Sequence, residues 1–166
     1  MITHFHQILL GGLIGVFIVS SFADSLLNRG KRVLDASTLD GIARRQNASS
    51  IFWRIGQSVA FVLIALGVLR TWGSFPWLHF VTRPYSTVAV GMGLYCLTNS
   101  VRAWYSVGVY RAEAPDTVAS RNAFFAAILI TIAEAALGGG ICWYVFTHST
   151  MPASAAIVFN YFAFSS

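Results

Sequence analysis

The stretch Asn122–Phe146, "NAFFAAILITIAEAALGGGICWYVF", decides the fold. One charged side chain, Glu134, interrupts an otherwise apolar run. A membrane strand is about 9–11 residues long and alternates in character. This run is too long and does not alternate. About 20 apolar residues in a helix, rising 1.5 Å each, cross the hydrocarbon core of a bilayer. The run therefore predicts a membrane helix with a carboxyl group near its middle.

Working outward, three further stretches have the length and character of spans: about 7–27, 51–72 and 86–110, the last being the most polar. The whole chain supports this reading. Of its 166 residues, 56% are hydrophobic and only 10% charged, with a mean hydropathy of +0.65. Soluble domains carry about 25% charged residues. Too few charges are present to cover a water-facing surface. The expected fold is an all-α, polytopic bundle of four transmembrane helices in a single membrane domain, residues 1–166, with a short apolar C-terminal helix at the outer interface.

Orientation follows from lysine and arginine. The connection 28–50 carries Arg29, Lys31, Arg32, Arg44 and Arg45, with Arg54 just beyond it; the connection 111–121 carries Arg111 and Arg121. The opposite side holds Arg70 and Arg83. Both basic connections are expected in the cytoplasm and both termini on the periplasmic side of a bacterial inner membrane. The net charge of +5 thus reads as membrane orientation and not as a nucleic-acid footprint. A cleavable signal ending at Ser21-Phe22-Ala23 is the competing reading of the first run. The positive charge follows the apolar run instead of preceding it, which argues for a retained helix.

An ionised carboxylate in hydrocarbon is costly, so Glu134 needs a proton, a partner or water. Arg102, in "TNSVRAWYS", is within reach by depth, and Asn99 lies closer still to the level of Glu134. The third and fourth spans are expected to be neighbours, with Glu134 facing Asn99 and Arg102. Asp24, near the inner end of the first span, is expected to pair with Arg54 or Arg102. Asp40, Glu113 and Asp116 read as isolated solvated acids. Asp35 and Ser37 can cap a short helix through Leu39, Ile42 and Ala43.

Small residues recur at helical spacing: Gly11 with Gly15, Gly56 with Ala60, Ala89 with Gly93, and Ala135 and Ala136 with Gly139 and Gly140, beside Gly138. Lipid supplies no hydrophobic drive between helices, so such residues mark close packing, within the chain or with partners. The tail 151–166, "MPASAAIVFNYFAFSS", is too short to span and lacks a polar face. Phe159, Tyr161 and Phe162 are expected to dock on the bundle or on another subunit.

His4, His6, His79 and His148 all fall on the expected outer side. Imidazole binds haem iron and copper, so a redox site is a weak alternative; interfacial placement is the stronger reading, and no metal or other cofactor is expected beyond bound lipids. Cys96 and Cys142 differ in depth and should not pair. No Walker motif, GxSxG, HExxH or dinucleotide glycine pattern occurs. The leading expectation is a non-catalytic integral subunit of a larger inner-membrane complex, contributing packing, lipid contact and stabilisation of partner subunits. The first alternative is a small oligomeric transporter or channel using Glu134. The second is a haem- or copper-binding redox subunit using the outer histidines.

Overall fold

The computed structural model describes residues 2–73 and 75–148. They form four long helices: α1 (Ile2–Lys31), α2 (Ala36–Trp72), α3 (Pro84–Glu113) and α4 (Val118–His148), with a short 3-10 turn at Pro76–Leu78. No strand occurs among the described residues. The expectations for the tail 151–166, with Phe159, Tyr161 and Phe162, lie outside the described residues.

Each boundary has a local cause. Asp35 caps α2, its side chain accepting from the Thr38 amide at 3.3 Å. Residues 36–50, read from the sequence as part of a connecting loop with a short capped helix, continue unbroken into α2. No glycine–proline punctuation stops them, and Gly41 is tolerated because Glu113 packs beside it. Pro84 opens α3, where its missing N–H costs nothing. Ala114 and Pro115 end it. Asp116 then takes a left-handed φ of 56°, a conformation that aspartate tolerates. Thr117 Oγ1 accepts from the Ser120 amide at 3.2 Å and starts α4.

The helices pack in the order α1–α4–α3–α2, each antiparallel to its neighbour. α1 and α2 form the two flanks and barely meet. Glycines mark where backbones touch. A Cβ on Gly67 would lie 2.7 Å from the Pro84 carbonyl oxygen, and one on Gly91 2.9 Å from that of Ala60, which fixes α2 against α3. A Cβ on Gly30 would lie 2.7 Å from Ala119 Cα, which fixes α1 against α4. Asn122 Nδ2 reinforces that contact by donating to the Leu26 carbonyl at 2.9 Å.

Three helices are long and apolar enough to cross a membrane: Gln7–Lys31, Ala36–Thr71 and Val118–Val145. Their most apolar stretches are only 17%, 11% and 33% buried. Phe17, Ile18, Phe52 and Trp143 are among the large apolar side chains facing outward. An apolar exterior of this extent needs lipid as its solvent. α3 is as long as α1 but has no comparably apolar stretch, and it is sandwiched between two of these helices.

Two buried apolar clusters occupy the two ends. One joins Leu9, Val16, Val88, Met92, Leu137 and Ile141. The other, at the basic end, joins Ile42, Val107, Tyr110, Ala119 and Ala123. Near that end Arg45 pairs with Glu113 at 2.5 Å, tying α2 to the end of α3, and Arg44 pairs with Asp40. The sequence reading of Asp40 and Glu113 as isolated acids is corrected here. The unbroken start of α2 brings a cation within reach of each.

The contact glycines yield the first expected outcome. Gly67→Ala and Gly30→Ala should each cost about 1–3 kcal/mol, because backbone must move to admit the methyl group. Gly93→Ala, where a Cβ meets nothing within 4 Å, should stay within about 0.5 kcal/mol of the parent. Thermal denaturation in mild detergent checks both. Asp35 gives a second. Hydrogen bonds from Ser37 and then Thr38 lower its pKa from 3.8 to about 2. A depressed carboxylate stabilises the start of α2 above pH 3.8, and that contribution is lost as pH falls towards 2. The protection factor of the Thr38 amide, its intrinsic exchange rate at each pH divided by the observed rate, should fall across that window and stay constant above it.

Candidate functional site

Because α1 and α2 do not close on each other, a cleft of about 580 Å³ opens between them, with α3 and α4 as its floor. Its volume falls in the range of sites for small ligands, about 300–1,000 Å³. α1 contributes Ser20, Asp24 and Lys31; α2 contributes Gln46, Asn47, Ser49, Ser50, Trp53, Arg54 and Gln57. α3 contributes Tyr95, Asn99, Arg102, Tyr105, Ser106 and Tyr110. From α4 come only Ala123, Ala126, Ala127 and Ile130. Alanine on that helix leaves the space that the polar side chains fill from the other three. From Gln46 to Gln57 the cleft runs roughly 16 Å along α2 at helical rise.

Deeper than the cleft wall sits Glu134. It is fully buried, 0% exposed, between the two apolar clusters. Asn99 Nδ2 donates to Glu134 Oε1, while Oε2 has no hydrogen-bond partner. Asn99 therefore faces both ways: its side chain lines the cleft and holds the buried carboxyl behind it. One turn nearer the basic end, Trp104 Nε1 donates to Thr131 Oγ1 at 3.1 Å, a second polar link between α3 and α4. Gln46 Nε2 reaches Ser106 Oγ at 3.5 Å across the α2–α3 contact.

The structure thus brings Asn99 and Glu134 together. It does not bring Arg102 to Glu134. Arg102 is exposed, lines the cleft and forms no ion pair among the described residues. A guanidinium in an open cleft keeps its hydration, whereas pairing with a buried carboxylate would strip it from both ions. Asp24 is likewise exposed in the cleft, and it pairs with neither Arg54 nor Arg102. The flanking helices that would have carried such a pair stand apart.

The packing residues divide. Gly138 meets Cys96 Sγ, where a Cβ would stand at 3.3 Å. Gly11, Gly15, Gly93, Gly139 and Gly140 meet nothing within 4 Å, so they are not contact points among the described residues. On α1 it is Gly12, not Gly11, that turns to α4 and meets Leu137. A one-residue step rotates a side chain by about 100° on a helix, and spacing alone cannot tell which face turns inward. Cys96 is buried, Cys142 is exposed, and both are free. His79 is exposed beside the 3-10 turn. His4 and His6 belong by backbone to the start of α1; what their side chains and that of His148 do lies outside the described residues.

The sequence reading did not find the cleft. Its signal was present as the run of Gln46, Asn47, Ser49, Ser50 and Gln57 on α2. Only the packing order shows that α1 leaves this face uncovered.

Removing Asn99 should expose how much the buried carboxyl depends on it. Asn99→Leu leaves the buried Glu134 with only the weak Cys96 thiol as donor and should cost about 1–3 kcal/mol. Glu134→Gln keeps an acceptor for Asn99 and should cost less than that. Thermal melts of the two variants in one detergent give the comparison, and equal losses would contradict it.

No family model, curated protein or solved structure matches the chain, so its function has to be read from its own residues.

Proposed function

We propose that the chain is a non-catalytic, four-span protein of a bacterial inner membrane that moves a small polar solute through its cleft. In this reading α3 is the fourth span. Its two ends lie beside the ends of α2 and α4, which are apolar enough to cross. The end bearing Lys31, Arg44, Arg45, Arg111 and Arg121 is cytoplasmic by its excess of cations, and both termini are periplasmic. The cleft then opens to the cytoplasm and reaches towards mid-membrane.

One observation carries the proposal: Asn99 belongs at once to the wall of a polar cleft and to the hydrogen bonding of a buried carboxyl. A polar solute that takes the Asn99 amide would remove that bond and leave Glu134 with only the Cys96 thiol beside it. Occupancy of the cleft and the charge state of Glu134 are therefore coupled, whether the carboxyl exchanges a proton or holds a cation.

A second reading, membership of a larger inner-membrane complex, is favoured by a different observation. Among the described residues, Gly11 and Gly15 on α1, and Gly139 and Gly140 on α4, leave backbone uncovered on the outer surface. A helix of a partner subunit could approach closely there. Packing, lipid contact and stabilisation of partners would then be the role, and the tail 151–166 an additional dock.

Purification in mild detergent followed by reconstitution separates the two. The first reading expects a particle of this chain alone and proton entry into liposomes reported by a trapped pH dye. Glu134→Gln should reduce that entry at least about tenfold while the melting temperature is kept. A particle that always carries fixed partners, with no proton entry from the isolated chain, would replace the first reading by the second.

A further inference from the structure

Resting on the reading of the cleft as a solute site, we infer that its ligand carries a phosphate group. The cleft holds three cations, Lys31, Arg54 and Arg102, against one carboxylate, Asp24. None of the four forms an ion pair among the described residues. Elsewhere at the same end, Arg44 and Arg45 have each found an acid. Arg29, Arg32 and Arg121 at that end also lack an ion pair among the described residues, so what sets the cleft apart is that three cations face one carboxylate in a single cavity.

Tyr110 adds an independent sign of a missing partner. It lines the cleft, is 1% exposed, and its hydroxyl has no hydrogen-bond partner. A buried hydroxyl without a partner costs about 1–3 kcal/mol, and an acceptor bound in the cleft would remove that cost once the Tyr110 ring turns its sealed oxygen towards it. The chemistry of the donors selects the acceptor. Arg54 and Arg102, guanidinium groups on neighbouring helices, can bind phosphate through paired bonds, while Tyr110 lies about 12 Å from Arg102 along α3 and Lys31 nearer the basic end. Phosphate offers acceptor oxygens to the two arginines and a charge that the cation excess balances. The flank between α1 and α2 is open towards the bilayer and the basic end is open to water, so a lipid headgroup and a soluble phosphate can both enter.

The test uses the full chain in phosphatidylcholine nanodiscs, with Cys142→Ser removing the exposed thiol and Gln57→Cys placing one in the cleft. The rate of modification by a cationic methanethiosulfonate is measured with added inorganic phosphate, with phosphatidic acid in the disc, and with chloride at matched ionic strength. Phosphate or phosphatidic acid should slow labelling about tenfold near saturation. Arg54→Gln and Arg102→Gln should each abolish that protection, and Arg121→Gln, outside the cleft, should leave it intact. Arg102→Lys serves where the glutamine variant fails to fold, and it should weaken protection because the planar fork is lost. Protection by phosphatidic acid alone identifies a lipid headgroup; protection by both identifies a soluble phosphate. Labelling that neither probe slows, or protection that survives loss of both arginines, overturns the phosphate inference and leaves the cleft as a solute site. A folded chain whose Gln57→Cys thiol does not react overturns the cleft reading itself.

Discussion

The constraint on which the rest depends is the polarity of α3. Asn99, Arg102, Trp104, Tyr105 and Ser106 follow within little more than two turns of one helix. Hydrocarbon solvates none of these groups well. α3 therefore takes an inner position, with α4 on one side to receive Asn99 and Trp104 and α2 on the other to receive Ser106 and Tyr105. With α3 and α4 filling the middle, α1 and α2 become flanks. The face of α2 that bears Gln46, Asn47 and Gln57 has no fourth helix to cover it. The cleft is the consequence of that order and not an addition to it.

The same logic explains the two-layer core. Apolar clusters at either end give α1, α3 and α4 their contact, while the level between them carries Glu134, Asn99, Thr131 and Trp104. A polar layer between apolar ones restricts the helices to the one register in which donor and acceptor meet. Sliding α4 by one turn would carry the Glu134 carboxyl about 5.4 Å away from Asn99. The bond thus fixes the depth at which α3 and α4 engage, and the glycine contacts at Gly67, Gly91 and Gly30 fix how closely the flanks approach.

Much of this was legible in one dimension. The apolar runs marked α1, α2 and α4, and matched depth put Asn99 beside Glu134. Asp35 reads as a cap, but of a short loop helix and not of the start of α2. The lateral order of helices was not legible, because hydropathy records depth and not the neighbour on each side. The misplacement of Arg102 has the same origin. Depth alone made it a partner for Glu134, but its side chain falls on the side of α3 that the flanks leave open. Gly11 and Gly15 show the rotational form of the same problem. A small residue announces a possible contact, and only the packing decides that Gly12 makes it.

The missing wall and the uncompensated cations describe one physical state. A lone charge at the centre of a membrane helix costs about 2.5–3.5 kcal/mol on insertion scales. Arg54 and Arg102 escape that cost only if water or a counter-charge reaches them. Were α1 and α2 to close over the cleft, both arginines would lose water, and Asp24 alone could not balance them with Lys31. The open arrangement is therefore the favoured one while the cleft holds only water. The anion inferred above would change the balance, because it would supply the counter-charge that a closed cleft requires. Ligand and closure then favour each other, by the differential affinity that any conformational response to a ligand must have. Asn99, on the wall of that cleft, is where such a closure would first be felt by Glu134.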